Sequence, residues 1–129
     1  MTDMRPKRNS SYGCVKALLL LGRVSNLPTV WSNCLAAWLL AGGELVESAD
    51  LQRFAWLISG ATLLFLSGMF LNDAFDVPFD RVHRPGRPIP SGAISGKSVW
   101  VLGLAQLLLG LACLVWMNTL AALCAVGLV

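Results

Sequence analysis

Charged residues are scarce in this chain. They make up 13% of its 129 residues, whereas soluble domains average about 25%, and 56% of the residues are hydrophobic. So short a chain has much surface for its volume, and its interior is too small to bury that much apolar area. The composition therefore excludes a soluble monomer and an acidic disordered chain. The net charge of +3 is too small to indicate a nucleic-acid partner, and we expect none.

Reactive side chains are also few. The single histidine, His83, lies in a loop beside Arg84, where we expect it to be solvated. The four cysteines show no CxxC pair, which argues against a zinc cluster and a disulfide framework. We expect them to pack as small apolar residues; they are Cys14, Cys34, Cys113 and Cys124.

Long uncharged stretches are abundant by comparison. Three of them, at residues 24–43, 54–71 and 99–129, are long enough to cross a bilayer, which takes about 20 apolar residues. The third is too long for one helix, which predicts a helix over residues 98–116 and a fourth helix from Thr119. The fourth is too short to span, so we expect a truncated chain or, alternatively, a re-entrant tail. The predicted fold is a single all-α membrane domain, a polytopic bundle of three full transmembrane helices and a truncated fourth.

Basic residues lie almost entirely on one side of these stretches. Nine of the ten Lys and Arg residues fall in residues 1–23 and 72–97, whereas residues 44–53 hold three acids and one arginine. Because basic loops stay in the cytoplasm, the pattern predicts a cytoplasmic N-terminus with a basic tail over residues 1–14, and a cytoplasmic loop over residues 72–97. We expect a multi-pass integral protein of the cell membrane, the inner membrane in a bacterium.

Three aspartates dominate the 72–97 loop. Asp73, Asp76 and Asp80 are spaced i, i+3 and i+7, which on a helix places them within about 60° of one another. Three negative charges on one face repel each other unless a cation lies between them. Mg²⁺ prefers oxygen ligands and commonly binds through one or two carboxylates plus phosphate oxygens. The spacing therefore favours a magnesium site, with these aspartates as metal ligands.

Three arginines follow the aspartates. Arg81, Arg84 and Arg87 suit a bidentate grip on phosphate oxygens. Carboxylates beside arginines at a membrane surface fit a metal-bridged phosphate ester with a lipid tail. The alternative is a solvated connecting turn whose charges neutralise each other, although the like charges of Asp76 and Asp80, four residues apart, disfavour a helix. Both interpretations stay open from the spacing alone.

Prolines divide the loop. Pro78 disfavours helical conformation at the residue before it and belongs in the first turn of a helix. We therefore expect Asp73 and Asp76 at the end of the second span and Asp80 on a restarted turn. Residues 87–92, Arg-Pro-Ile-Pro-Ser-Gly, cannot be helical, because the prolines fix φ and lack N–H donors. This segment either holds an arginine at the edge of a lid or is a stiff turn that directs the third span.

Polar residues also mark the start of the first span. Arg23, Asn26 and Asn33 follow helical spacing, which predicts that they share one helix. Polar side chains inside a membrane span usually face the bundle interior or a cavity. These residues either line a polar pocket or make hydrogen bonds between helices, and the spacing favours neither alternative.

Two regions of the chain resemble a known family. Residues 72–80, Asn-Asp-x-x-Asp-x-x-x-Asp, and residues 84–92, Arg-Pro-x-Arg-Pro-Ile-Pro-Ser-Gly, together closely resemble the first aspartate-rich motif of the UbiA-type intramembrane prenyltransferases. Residues 23–31, Arg-Val-Ser-Asn-Leu-Pro-Thr-Val-Trp, are similar to that family's first helix. The resemblance extends over residues 16–129.

The resemblance implies an all-helical fold of about nine spans, in two similar halves around a central cavity, of which this chain would be the N-terminal half. It also implies a transferase that moves a prenyl group from a polyprenyl diphosphate to an acceptor, often an aromatic ring, with Mg²⁺ as cofactor. By position, Asp73, Asp76 and Asp80 would bind Mg²⁺ and be the catalytic residues. The substrate-binding residues would be Asn72, Arg84, Arg87, Asn26, Arg23 and Asn33.

One part of the family's pattern is missing. Residues 98–129 contain no acidic residue, so the family's second aspartate-rich motif is absent. We therefore expect activity to need a missing C-terminal half or a second chain. The alternative is a non-catalytic membrane fragment or half-protein that binds a lipid diphosphate. A cation transporter is disfavoured, because transport sites lie near the middle of the membrane and these aspartates lie in a loop.

Overall fold

All regular secondary structure in the described part of the chain is helical. The computed structural model describes residues 13–117. Its helices are α1 (Cys14–Leu21), α2 (Leu27–Leu40), α3 (Ser48–Phe75), α4 (Val77–His83) and α5 (Gly96–Met117), with a 3₁₀ turn at Val24–Asn26 before α2. The predicted all-α fold is confirmed. The basic tail over residues 1–14, apart from its last two residues, and the predicted helix from Thr119 lie outside the described residues.

Helices α3 and α5 form the centre of the fold. Both are long and apolar enough to cross a membrane, and they contain the predicted spans at residues 54–71 and 98–116. With 28 residues, α3 is about 42 Å long, whereas the hydrocarbon core of a bilayer is about 30 Å thick. An upright α3 is therefore longer than the hydrocarbon is thick, and its last turn, which carries Asp73, lies at one end of the helix.

Small residues allow α3 and α5 to approach each other closely. Ser67, which is fully buried, donates a hydrogen bond from its Oγ to the carbonyl oxygen of Gly103 at 2.8 Å. A Cβ added at Gly60 would lie 3.2 Å from the carbonyl oxygen of Gly110, and one added at Gly110 would lie 3.1 Å from that of Gly60. Because lipid tails are as apolar as the helices, membrane helices associate through such close packing and not through the hydrophobic effect.

The small residues recur at every seventh position. A seven-residue spacing is close to two helical turns, so residues with this spacing lie on one face of a helix. They are Gly60, Ser67 and Ala74 on α3, and Gly110, Gly103 and Gly96 on α5, which runs antiparallel to it. The repeat sets the register between the two helices.

An apolar cluster joins the chain segments at the end of α3. It consists of Leu21 from α1, Phe70 and Ala74 from α3, Ile89 and Ile94 from the loop before α5, and Val99 from α5. Because both isoleucines of the α4–α5 loop are buried in this cluster, the loop is held against the end of α3. The cluster therefore anchors the loop that carries the arginines.

The first predicted span differs from the structure. Residues 24–43 are predicted as one membrane helix, but α2 has only 14 residues and is about 21 Å long, which is shorter than the hydrocarbon thickness of about 30 Å. Arg23 interrupts the helical path of the backbone before α2, because its φ of 45° is left-handed. Pro28 lies in the first turn of α2, where its missing N–H leaves no helical hydrogen bond unmade.

The polar residues at the start of this span are consequently divided between two segments. Arg23 precedes the 3₁₀ turn, Asn26 ends it, and Asn33 lies in α2. The backbone N–H of Asn26 donates to the carbonyl oxygen of Arg23 at 2.8 Å, which closes the turn. The prediction that Arg23 shares one helix with the two asparagines is wrong, since the left-handed residue ends the regular helical path.

We predict that Gly60→Leu destabilises the fold and that Gly68→Leu does not. Gly60 faces α5, so a leucine there would have to push the two helices apart, and overpacking of this kind costs about 1–3 kcal/mol. Gly68 lies on the same helix, and an added Cβ meets no described atom within 4 Å. Thermal unfolding of the purified full chain in detergent, followed by circular dichroism, measures both variants. Equal midpoints would contradict the proposed packing.

Candidate functional site

The aspartates lie where α3 ends and α4 begins. Asp73 is in the last turn of α3, Asp76 lies between the two helices, and Asp80 is in α4. The backbone N–H of Asp76 donates to the carbonyl oxygen of Asn72 at 3.0 Å, and that of Asp80 donates to Asp76 at 2.9 Å. Pro78 occupies the first turn of α4. The prediction that Asp80 lies on a restarted turn is therefore confirmed.

One guanidinium group holds two of the aspartates together. Nη1 of Arg87 donates to Oδ2 of Asp80 at 2.8 Å and to Oδ1 of Asp73 at 3.2 Å. Both aspartates are buried, Asp73 with 7% and Asp80 with 2% of its surface exposed. The hydrogen bond to Asp80 is the main cause that raises the pKa of Arg87 above its ordinary value. A fixed positive charge therefore lies between two buried carboxylates.

Asp76 lies apart from this pair. Its side chain is exposed, and its Oδ2 accepts a hydrogen bond from Nδ2 of Asn72 at 3.3 Å. In the described part of the chain, no three acidic, histidine or cysteine side chains converge as a group that could hold a metal ion. The predicted face of three carboxylates is thus divided: Asp73 and Asp80 meet at Arg87, and Asp76 meets Asn72.

The loop that carries Arg87 folds back on itself. The backbone N–H of Ser91 donates to the carbonyl oxygen of Arg87 at 2.9 Å, and that of Ala93 donates to Pro88 at 3.0 Å. Gly92 adopts a φ of +77°, which glycine accepts without steric cost. The segment is non-helical, as its prolines predict. Together with the two buried isoleucines, these hydrogen bonds fix the position from which Arg87 reaches the aspartates.

Arg23 approaches Asp73 from the N-terminal side. Its left-handed conformation, with φ 45° and ψ 46°, costs about 1–2 kcal/mol for a residue that is not glycine. Its positive charge acts on the carboxylate of Asp73. Gly22 allows this approach, since a Cβ there would lie 2.9 Å from Cδ2 of Leu66 on α3. The close packing of the end of α1 against α3 therefore brings Arg23 to the site.

An open pocket lies beside the Arg87 bridge, the two hydrogen bonds that Arg87 donates to Asp73 and Asp80. It has a volume of about 450 Å³, and its lining residues are Leu20, Arg84, Gly86, Arg87 and Pro88. A volume of this order is typical of small-molecule sites. The two arginines supply positive charge, whereas Leu20 and Pro88 supply apolar surface. The pocket can therefore take an anionic group that carries an apolar tail.

The other predicted residues lie away from the aspartates. Asn26 and Asn33 are exposed, and within residues 13–117 no hydrogen bond joins their side chains to an aspartate. His83 is exposed and stacks on Phe79, with ring centroids 4.1 Å apart, which confirms its expected surface position. Within the described residues Cys14, Cys34 and Cys113 are free; Cys34 and Cys113 are half-buried, whereas Cys14 is exposed, which contradicts the expectation that it packs as a small apolar residue.

The donor chemistry of the site fits a magnesium ion that also binds phosphate. Mg²⁺ needs only one or two carboxylates when phosphate oxygens and water supply its other ligands. Oδ1 of Asp80 is buried and, in the described part of the chain, has no hydrogen-bond partner. A buried carboxylate oxygen without a partner is costly, and a cation would remove this cost. The exposed carboxylate of Asp76 offers a second donor.

The Arg87 bridge does not follow from the motif. The motif predicts that Arg87 contacts phosphate and that the aspartates contact a metal ion. In the structure, Arg87 pairs with Asp73 and Asp80 instead. The seven-residue spacing of Asp73 and Asp80 was an available signal, because it places both on one helix face. Arg87 lies beyond the end of α4, and no local pattern predicts that the loop returns.

Comparison with known proteins identifies related sequences. Residues 17–129 match the model of the UbiA prenyltransferase family. A digeranylgeranylglyceryl phosphate synthase of Methanoregula boonei is 34% identical over 98 residues, which cover 76% of this chain and 33% of that protein. The synthase of Pyrococcus horikoshii is 41% identical over 103 residues, with coverage of 74% and 36%. A 2-acylphloroglucinol 4-prenyltransferase of Humulus lupulus is 33% identical over 88 residues, with coverage of 62% and 21%. No solved structure matches the chain significantly.

The residues that match the family model include the site. The chain spans about a third of the length of the two synthases. The family match begins inside α1 and continues through α5. It therefore includes the aspartate junction, which consists of Asp73, Asp76 and Asp80 where α3 ends and α4 begins, as well as the α4–α5 loop with Arg87 and the packed helices α3 and α5. The chain belongs to the UbiA prenyltransferase family, whose members are integral membrane proteins.

Proposed function

We propose that this chain forms the donor-binding end of a membrane prenyltransferase, which transfers a prenyl group from a polyprenyl diphosphate to an acceptor with Mg²⁺ as cofactor. The family match supports the class of reaction. One observation carries the assignment of the donor: Arg84 and Arg87 line one pocket, and Arg87 is also hydrogen-bonded to two buried carboxylates. Positive and negative groups side by side are what a metal-bridged diphosphate requires.

The names of the relatives support an assignment to the donor and not to the acceptor. Two relatives are named for a glyceryl phosphate and a third is named for an acylphloroglucinol. Because these compounds are so unlike each other, the chemistry that such enzymes share is that of the prenyl donor. We therefore assign the described pocket to the diphosphate, and the acceptor, an aromatic ring or another small molecule, to the cavity beyond it.

The transfer requires that the diphosphate leaves with both bonding electrons. The bond between the allylic carbon and the diphosphate oxygen breaks, and negative charge grows on the leaving group. Arg84 and Arg87 can neutralise part of this charge through charge-assisted hydrogen bonds. Asp73, Asp76 and Asp80 would hold Mg²⁺, which when bound would supply further neutralisation. The prenyl group becomes a delocalised cation, which the nucleophilic atom of the acceptor captures before it releases a proton.

The apolar helices provide the surroundings that such a cation needs. Water would capture the cation, so the reaction needs a site from which water is excluded. Large apolar side chains are exposed on α2 and α5, among them Trp31, Leu35, Leu39, Leu104 and Leu108. In our proposal, part of this surface lines the cavity for the prenyl tail, and Arg23, Asn26 and Asn33 face the same cavity.

We predict that Asp76→Asn abolishes magnesium-dependent prenyl transfer without unfolding the protein. Asp76 is exposed, so an asparagine there disturbs no packing. The loss of a metal ligand removes several kcal/mol of charge stabilisation, which corresponds to a rate loss of about 100-fold or more. The assay measures transfer from a labelled polyprenyl diphosphate to a panel of acceptors, in membranes that contain the complete protein.

Two further variants control this experiment. Asp73→Asn changes a buried member of the site and should also abolish transfer while membrane insertion persists. Asp50→Asn is the matched control on α3, because the ion pair that Asp50 makes with Arg53 at 3.4 Å is exposed. Wild-type activity in both site variants would remove the assignment of these aspartates as magnesium ligands. Pyrophosphate binding without any transfer by the wild type would favour the alternative, a half-protein that binds a lipid diphosphate without catalysis.

We also propose that the aspartate junction and the α4–α5 loop face the cytoplasm. The distribution of basic residues supports this orientation. In a background without native cysteines, Ser95→Cys should react with a membrane-impermeant maleimide only after lysis. Ser48→Cys, at the opposite end of α3, should react in intact cells, since both serines are exposed. The reverse labelling pattern would overturn the orientation.

A further inference from the structure

We infer that Arg87 is a positioning residue that exchanges partners: it holds the carboxylates of Asp73 and Asp80 until a divalent cation takes them, and it then turns to the diphosphate. This inference rests on the proposed function and extends it. It states that the cation and the diphosphate depend on each other for binding, and that one guanidinium group couples them.

The cation and the guanidinium compete for the same carboxylates. Nη1 of Arg87 lies 2.8 Å from Asp80 and 3.2 Å from Asp73. A divalent cation at these oxygens would repel the guanidinium, because the two positive charges would lie within a few ångströms of each other. The second oxygen of Asp80, Oδ1, is buried without a partner among the described residues. It gives the cation a first ligand that Arg87 does not occupy.

The pocket offers Arg87 a second partner. The side chain of Arg87 is 28% exposed, whereas those of Asp73 and Asp80 are 9% and 2% exposed. Arg87 also lines the 450 Å³ pocket together with Arg84. One guanidinium group therefore borders both the buried carboxylates and the pocket. Its planar fork can bind phosphate oxygens in place of the carboxylate oxygens that it gives up.

The exchange predicts a coupling between the two ligands. A cation that binds alone must displace Arg87 and leave it without an anionic partner, so the cation binds weakly. A cation that binds together with a diphosphate leaves Arg87 paired with phosphate. Because coupling between two ligands is reciprocal, each of them should tighten the binding of the other.

The first test measures the cation alone. Mn²⁺ serves as the probe, and the free-ion signal in electron paramagnetic resonance reports how much of it the full chain binds in lipid nanodiscs. Arg87→Gln should bind Mn²⁺ about tenfold more tightly, because the competing charge-assisted hydrogen bonds are gone. Arg81→Gln removes the same charge from an exposed position on α4 and should change the affinity by about twofold at most at physiological salt.

The second test adds inorganic pyrophosphate as the probe for the anion. At saturating Mn²⁺, Arg87→Gln should bind pyrophosphate about tenfold more weakly, because a charged donor has been lost. The two effects have opposite signs, whereas simple damage to the site would weaken both ligands. Mn²⁺ affinity that is unchanged or weaker in Arg87→Gln would overturn the exchange.

A third test uses the wild-type protein and therefore does not depend on the folding of a variant. Phenylglyoxal reacts with accessible guanidinium groups, and mass spectrometry compares Arg87 with Arg81 as an internal reference. Mg²⁺ alone should increase the modification of Arg87, and added pyrophosphate should reverse the increase. A decrease with Mg²⁺ alone would refute the exchange.

The outcomes separate this inference from the proposed function. If the responses of Arg87 are as expected but the complete protein transfers no prenyl group, the proposed function fails and the exchange stands. If transfer depends on Mg²⁺ but Arg87→Gln fails to tighten Mn²⁺ binding, the exchange fails alone. If neither Mn²⁺ nor pyrophosphate binds the wild type, both are wrong.

Discussion

The close approach of α3 and α5 determines where the charged groups of this protein meet. In lipid, apolar surface does not drive helices together, so their contact depends on residues small enough for the backbones to touch. The buried hydrogen bond from Ser67 to Gly103 is one such contact. On α3 the repeat continues to Ala74, which directly follows Asp73. Because α5 packs beside this end of α3, the loop that precedes α5 must return there, and it brings Arg87 to the aspartates.

Features that follow from local rules could be predicted from the sequence. Hydropathy identified the cores of α3 and α5, Pro78 predicted the restart before Asp80, and the prolines of residues 87–92 predicted a non-helical segment. Each of these rests on residues that are neighbours in the chain. The bridge joins Arg87 to Asp73, fourteen positions earlier, across a loop whose path depends on tertiary packing. For that reason the sequence placed the same residues in one motif but could not show which of them are paired.

The region before α2 shows a second limit of sequence reasoning. Hydropathy averages the apolar character of a stretch and contains no information on backbone conformation, so residues 24–43 pass as one span. Nothing about the type of residue at Arg23 indicates φ > 0, since arginine rarely adopts it. The residue before it, Gly22, packs closely against Leu66 of α3, a tertiary contact that no local pattern predicts. The seven-residue repeat of small residues was also present in the sequence, but the predicted spans rested on hydropathy and did not use it.

The charge balance of the site gives a physical reason for a metal ion. The three aspartates are matched in number by the arginines that line the pocket or act on Asp73; the set is Asp73, Asp76 and Asp80 with Arg23, Arg84 and Arg87. A diphosphate ester would add about two to three negative charges to this neutral set, and a partly buried site compensates such a charge poorly without further cations. Arg87 cannot serve the phosphate fully while it neutralises two carboxylates. A divalent cation at those carboxylates would both add positive charge and release the guanidinium, so the metal requirement and the exchange of Arg87 follow from the same electrostatic constraint.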